Sequence, residues 1–329
     1  MAGLWRCVGV RWGEGGARLR WEEGRSSALE YGKVVAFRAV GTRSCVGARG
    51  NACPRRAAVP GRSTQARCAE CARLDRAHSV AADTYLDDPR TYRVYLAWFG
   101  VGMLKVGITA EERGPARLLE QGAVAFCWLG RGPLMAARRC EELLRAALRV
   151  PDRIPYADKR AVRAGLPGAD ERAAEVAALY ARAVALPGWP ESLERVEGQV
   201  FDHGEEFGLG GLPPATGVVV ELVDQGVVSG RLLAAAGPDL HLEAEGGRDV
   251  IVLDTRLMSG WSLAAPGEGG SGPGGSGAGA SGTGGRGTAG AAAGESVSAG
   301  AAPGGFGRFT VPVREVPREG EGGVQDALF

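Results

Sequence analysis

The stretch from Tyr92 to Leu148 constrains the fold more than any other, because its pattern alternates between strand and helix periodicity. Apolar and polar side chains alternate in a first run and again in a second run after a glycine-rich turn, which predicts a β-hairpin. An arginine-bearing helix, an apolar strand and an amphipathic helix follow. The predicted segments are 92–98, 103–109, 115–121, 123–129 and 134–148. Their order predicts a small α/β module, to which we assign residues 91–165.

The last of these helices carries an acidic residue on its apolar face. With 3.6 residues per turn, Glu141 shares a stripe with apolar side chains, whereas Glu142 lies among arginines. The apolar members of the stripe are Leu134, Ala137, Leu144 and Leu148. An ionised carboxylate costs several kcal/mol to bury unless it is paired or binds a metal. Glu141 is therefore a candidate metal ligand, and an ion pair with an inward arginine is the structural alternative.

Four cysteines mark a second region, which is poor in large apolar residues and dense in glycine and arginine. Cys45, Cys53, Cys68 and Cys71 end in a C-x-x-C pair that can grip one metal ion from a turn. Structural zinc can fold a segment that cannot build its own core, so the four are predicted zinc ligands. An iron–sulfur cluster would accept the same thiolates, whereas a redox C-x-x-C would need a preceding strand that is not seen in this sequence.

Charge is distributed unevenly over the 329 residues, although the net charge is only +1. Residues 1–76 contain fourteen Arg, one Lys and six acids, giving +9 and leaving −8 for residues 77–329. A basic segment of this kind fits a nucleic-acid partner, since Arg and Lys displace counterions from phosphates. The alternative is a coding bias: three lysines stand against thirty-six arginines, so arginine would cover any solvated surface.

Targeting and membrane patterns are not found in the sequence. Arg6 and Arg11 interrupt the apolar residues of the N-terminus, and no run approaches eighteen apolar residues. We therefore expect a cytoplasmic protein with no membrane partner, in which the seven cysteines are reduced thiols or metal ligands and not disulfides.

The remaining segments complete an α+β fold class. Alternating runs predict an N-terminal β-layer with a hairpin, followed by the zinc-binding loop and its connector. After the central module we expect a helical connector and then a small antiparallel β-barrel or sandwich. A flexible linker of Gly, Ala and Ser separates this part from a returning strand and tail. In the same order, these six segments are 1–42, 43–90, 166–195, 196–266, 267–305 and 306–329.

The motifs VYL and KVG, followed by an arginine on one helix and a glutamate on a later helix, resemble the GIY-YIG nuclease superfamily, especially its divergent branch with Lys-Ile-Gly in the second motif. The resemblance implies a catalytic site of Tyr95, Arg117 and Glu141, in which Glu141 holds one divalent metal ion, Mg²⁺ or Mn²⁺. Lys105 stands where the second-motif tyrosine is found, and Gln121 stands where many members have histidine. Lys105 joins the candidate site because a lysine can bind phosphate and still support cleavage; the alternative is that it marks decay of the site.

A closer resemblance covers roughly residues 4–260. A four-cysteine set ending CAEC, then KVGIT, RLLEQGA and DRIPYADK, is similar to the uncharacterised bacterial family called domain of unknown function 2797. This resemblance implies an architecture and brings no established activity.

Three functions fit these observations. The first is a zinc-containing, metal-dependent endonuclease that processes nucleic acid. The second is a nucleic-acid-binding protein that keeps the GIY-YIG scaffold without hydrolysis. The third is a structural or protein-interaction role, in which zinc only holds the fold together. The sequence leaves the oligomeric state and the choice between DNA and RNA open.

Overall fold

The computed structural model describes residues 3–77, 88–151, 153–266 and 309–317. Its strands, in chain order, are β1 (Trp5–Gly13), β2 (Gly16–Trp21), β3 (Ser26–Ala28), β4 (Val34–Val40), β5 (Thr91–Trp98), β6 (Leu104–Ala110), β7 (Ala125–Pro133), β8 (Glu194–Arg195), β9 (Val200–Asp202), β10 (Gly217–Val219), β11 (Val227–Ala236), β12 (Asp239–Glu243), β13 (Val250–Asp254), β14 (Ser262–Ala264) and β15 (Val313–Glu315). Its helices are α1 (Ala69–Arg76), α2 (Ala116–Gln121), α3 (Leu134–Leu148), α4 (Tyr156–Val162) and α5 (Ala169–Val184). The predicted linker, 267–305, lies outside the described residues.

The larger sheet combines strands from both ends of the chain. Its ten strands are ordered β15-β10-β13-β12-β11-β4-β14-β1-β2-β3, and all pairs are antiparallel except β10 with β13. Of the barrel or sandwich predicted for 196–266, the closed barrel is wrong, since within the described residues this sheet stays open. The reason is that β11 and β14 both pair with β4, a strand from the N-terminal part of the chain, instead of closing on each other.

The smaller sheet contains the segment with the strongest sequence pattern. Its order is β6-β5-β7-β8, and β9 also pairs with β7. The hairpin of β5 and β6 is in a register that sets Tyr95 opposite Gly107 and Ala97 opposite Lys105. Because paired residues project to the same side of a sheet, Lys105 lies on the face that carries Tyr95.

The two faces of β5 enter different cores. Tyr92, Val94, Leu96 and Trp98 belong to the main apolar core, and α3 and α5 pack over this side. The opposite face bears a smaller cluster around the ring of Tyr95. Its other buried members are Ala97, Phe99, Leu118, Ala123, Phe126, Trp128 and Ile154. A strand buried on both sides gives the site a rigid support.

The α3 helix has the phase that the sequence predicts. All four apolar residues of its stripe, Leu134, Ala137, Leu144 and Leu148, are buried. Glu141 is half-buried, whereas its neighbour Glu142 is exposed.

The C-terminus of α2 joins the two sheets. Its last residue is followed by Gly122, whose backbone touches that of Gly237 in the turn between β11 and β12. Both glycines have positive φ, at 69° and 63°. A Cβ on Gly237 would lie 2.9 Å from the nitrogen of Gly122, so this contact requires glycine.

Within the described part of the chain, none of the helices combines the length and the apolar composition needed to span a bilayer. All seven cysteines are free thiols.

Candidate metal centre and candidate active site

The four predicted zinc ligands converge on one point. The sulfur atoms of Cys45, Cys53, Cys68 and Cys71 all lie within 4.8 Å of one another. Four sulfurs bound tetrahedrally at about 2.3 Å from one zinc ion would be separated by about 3.8 Å, so the set fits with small side-chain adjustments. The cluster can therefore hold a metal ion such as zinc.

The loop around the cluster is shaped to support thiolates. The backbone N–H groups of Gly47 and Cys68 donate to Sγ of Cys45, at 3.3 Å and 3.2 Å. Gly47 has a φ of 86°, and a Cβ there would lie 1.9 Å from the carbonyl oxygen of Asn51. Cys68 immediately precedes α1, which places Cys71 one turn further on.

Two thiols of the cluster have pKa values shifted in opposite directions. Backbone hydrogen bonding from Ala57 lowers the pKa of Cys53 to about 6, so this thiol ionises readily. Burial raises the pKa of Cys71 to about 12. Without a metal the cluster therefore keeps protons, and a bound cation would displace them.

A buried arginine connects the cysteine loop, residues 43–76, to the larger sheet. Arg43 is 1% exposed and donates only to backbone carbonyls in the hydrogen bonds that the structure describes. Its acceptors are Pro60 at 2.7 Å, Ser63 at 2.6 Å, Ser259 at 2.9 Å, Arg256 at 2.8 Å and, more distantly, Gly61 at 3.4 Å. Burial lowers the pKa of Arg43 to about 10, which still leaves it charged at neutral pH.

At the second site, Tyr95 is almost completely enclosed. It is 2% exposed, and its ring lies across Gly107, where a Cβ would approach the tyrosine oxygen to 2.4 Å. The hydroxyl accepts a hydrogen bond of 2.9 Å from Nε2 of Gln121, which also donates to the carbonyl of Arg117 at 3.1 Å. The KVG motif therefore contributes the glycine that admits the tyrosine.

The pKa of the Tyr95 hydroxyl is shifted by burial, by a hydrogen bond and by two of the other predicted site residues. Burial raises its pKa, and the Gln121 hydrogen bond partly counters this. The charge of Arg117 lowers the pKa of Tyr95, while that of Glu141 raises it. The structure therefore places these two charged residues within electrostatic reach of the hydroxyl.

Arg117 and Glu141 differ in exposure. Arg117 is exposed on α2, where its Nη1 lies 3.8 Å from a carboxylate oxygen of Glu120. Glu141 is half-buried on α3. Among the described residues, the only group of three or more metal-ligating side chains is the cysteine cluster. A metal at Glu141 would accordingly need water or substrate oxygens for most of its ligands.

Comparison with known families gives one result. A family model described as "Protein of unknown function (DUF2797)" matches residues 32–263, more than half of the chain. The chain belongs to this family. Both the cysteine cluster and the Tyr95 site lie inside the DUF2797 region. Searches of curated proteins and of solved structures found no match.

The DRIPYADK segment of this DUF2797 chain carries functional-looking residues to which the sequence alone assigns no role. The structure shows that α4, which begins in it, turns a polar face inward: Tyr156, Lys159, Arg160 and Arg163 are buried or half-buried. Arg160 pairs with the buried Asp239 and with Asp254, both at 2.6 Å. Polar residues at helical spacing were the available signal, and they resemble a solvated face until their partners are known.

Proposed function

We propose that this DUF2797 protein binds nucleic acid and cleaves a phosphodiester bond at the Tyr95 site, while a zinc ion at the four cysteines holds the N-terminal loop. The observation that carries the proposal is the grouping of a tyrosine hydroxyl with the basic Arg117 and the acidic Glu141, which both act on its pKa. The resemblance to GIY-YIG nucleases supports the assignment of roles.

Each residue of the site would contribute a defined part. Glu141 would hold Mg²⁺ or Mn²⁺, which stabilises negative charge on the leaving oxygen. The exposed guanidinium of Arg117 would neutralise the phosphate, and Lys105 would contact a second phosphate oxygen from the same sheet face. The Tyr95 hydroxyl would orient and help to activate the attacking water.

Arginines on the cysteine loop support a nucleic-acid partner. Five of them are exposed and form no ion pair within the described residues: Arg49, Arg55, Arg56, Arg62 and Arg76. Two of these, Arg49 and Arg56, adopt positive φ of 54° and 40°, where glycine is favoured. A positive φ strains the backbone of any residue except glycine. Arginine at these two positions therefore indicates that its positive charge is needed there.

A second candidate function is binding without cleavage. It is favoured by the burial of the Tyr95 hydroxyl, which leaves little access for a water molecule, and by lysine in place of the second tyrosine. A reducing compartment such as the cytoplasm suits both candidates, because the described cysteines are free thiols.

The test compares two adjacent glutamates. Purified zinc-loaded protein is incubated with labelled single-stranded and duplex DNA and RNA, with Mg²⁺ or Mn²⁺ and with a chelator selective for those ions. We expect metal-dependent cleavage that Glu141→Gln abolishes and Glu142→Gln retains, with nucleic-acid binding kept in both variants. Binding without cleavage by the unmodified protein would favour the second candidate. If no nucleic acid binds, both candidates are wrong.

A further inference from the structure

Lysine is rare in this chain, and two of its three lysines lie close to the Tyr95 site. The sequence contains thirty-six arginines but only Lys33, Lys105 and Lys159. Lys105 is on the Tyr95 face of β6, and Lys159 is on α4. Their ammonium groups are close enough that Lys105 lowers the pKa of Lys159. Apart from Lys33, this arginine-rich chain therefore has lysine only near the Tyr95 site.

Lys159 is held in a closed, largely aromatic environment. It is 3% exposed, and its Nζ lies 3.8 Å from the ring centre of Phe99 and 4.4 Å from that of Tyr156. Nζ also donates a hydrogen bond of 3.0 Å to the backbone carbonyl of Gln121. The side chain of the same Gln121 donates to the Tyr95 hydroxyl at 2.9 Å. Two hydrogen bonds thus connect the ammonium group to the tyrosine through one residue.

An arginine one turn later makes the same kind of contact, so donating to a backbone carbonyl at this helix end does not require lysine. Arg163, four residues later, donates from Nη2 to the carbonyl of Gly122 at 2.6 Å. Lys159 and Arg163 therefore cap adjacent carbonyls at the C-terminus of α2, where cations are favoured. What separates them chemically is that arginine stays protonated in proteins, whereas a buried lysine can lose its proton.

The surroundings of Lys159 contain more positive than negative charge. Burial is the largest cause that lowers its pKa to about 7, and the neighbouring cations contribute to the same shift. The charged groups that act on it are Lys105 from β6, Arg163 after α4, Arg256 after β13 and, in the opposite sense, Asp239 from β12. Its protonation is therefore balanced close to neutral pH.

We infer that Lys159 is a positioning residue for Tyr95, which couples its own protonation state to the tyrosine hydroxyl through Gln121. With the proton present, a charge-assisted hydrogen bond and two cation–π contacts fix the end of α2, and the Gln121 amide holds the hydroxyl. When Lys159 loses its proton, its hydrogen bond to the Gln121 carbonyl and its cation–π contacts weaken. The Gln121 amide then holds the Tyr95 hydroxyl less firmly. The functional weight of this coupling rests on the proposed role of Tyr95.

The experiment monitors the Tyr95 hydroxyl by NMR and does not require cleavage activity. Full-length zinc-loaded protein is labelled with ¹³Cζ-tyrosine, and the Tyr95 signal among the six tyrosines is assigned with Tyr95→Phe. We expect the Tyr95 shift to change with a midpoint near pH 7. Lys159→Met, which keeps the shape but cannot titrate, should abolish that step.

A matched variant keeps the test decisive if Lys159→Met folds poorly. Lys105→Met removes a positive charge that lowers the pKa of Lys159, so the Tyr95 step should remain and its midpoint should rise. A Tyr95 signal that does not change between pH 6 and 9, or a step that persists in Lys159→Met, would overturn the inference. Either result would leave the proposed cleavage activity untouched, because that activity is tested separately with the Glu141 and Glu142 variants.

Discussion

The cysteine loop and the Tyr95 module achieve order by different means. The loop has only a small buried cluster of its own, made of Cys45, Cys53, Cys71 and Val59. The module places β5 between two apolar clusters. One region therefore has a cysteine cluster that can hold a metal ion in place of a large core, and the other depends on packing. The comparison indicates that metal loss and core mutations should affect separate parts of the molecule.

The two regions share one device, a buried cation bonded to backbone carbonyls. Arg43 gathers carbonyls from the loop and from the segment after β13, while Lys159 and Arg163 hold the end of α2. Backbone carbonyls left without partners in the interior cost about 1–3 kcal/mol each. Because each cation donates to carbonyls of a different segment, it stabilises the contact between two parts of the chain. This shared device makes the two regions comparable by mutation.

Removal of the metal should have the largest effect. Structural zinc sites contribute apparent binding free energies of about 10–16 kcal/mol at neutral pH, and the loop has little else to hold it. Cys68→Ser, or treatment with a strong chelator, should remove one zinc ion per chain and expose the amides of residues 45–71 to hydrogen exchange. The amides of β5 and β7 should remain protected.

Cys140→Ala provides the control, because this cysteine is buried in α3 and outside the cluster. It should leave the zinc content at one ion per chain by elemental analysis. If Cys68→Ser keeps full zinc and full loop protection, the contrast between the two regions is lost.

Loss of Arg43 should come next. Arg43→Met leaves the backbone carbonyls of Ser63, Ser259 and Arg256 without their donor, so the free energy of unfolding should fall by more than about 3 kcal/mol. Zinc should still bind, because the thiolates are unchanged. Arg62→Met, an exposed residue of the same loop, should change stability by no more than about 0.5 kcal/mol in denaturant titrations. Equal effects of the two substitutions would refute the role of Arg43.

The stability contributed at Lys159 should depend on pH in a defined direction. Its pKa is about 7 in the folded chain and 10.5 in its ordinary state. Between these values the unfolded chain binds the extra proton, so stability should rise with pH. Relative to Lys159→Met, the unmodified protein should gain about 2 kcal/mol between pH 7 and 9. If the difference in the free energy of unfolding between the two proteins stays constant from pH 7 to 9, the lowered pKa of Lys159 is refuted.

Much of the fold could be predicted because it is encoded by period and composition. The hairpin of β5 and β6, the phase of α3 and the strands near 227–236 and 239–243 follow from alternating or helical apolar patterns. The cysteine cluster was recognisable from its spacing and its core-poor surroundings, and the structure brings the four sulfurs together.

The remaining features depend on partners that are distant in sequence. The pairing of β4 with β11 and β14 joins segments about 190 and about 220 residues apart, and no local pattern specifies it. Arg43 and Lys159 resemble solvated charges in a chain rich in basic residues, since their acceptors are backbone carbonyls. Carbonyls carry no side-chain signature, so these buried cations become visible only in the folded structure.

Electron paramagnetic resonance of Mn²⁺ added to zinc-loaded protein decides whether Glu141 holds a divalent metal ion. We expect one bound Mn²⁺ per chain, lost in Glu141→Gln and retained in Glu142→Gln, because Glu141 is half-buried on α3 whereas Glu142 is exposed. Retention of Mn²⁺ by Glu141→Gln, or its loss in Glu142→Gln, would refute the metal site proposed at Glu141.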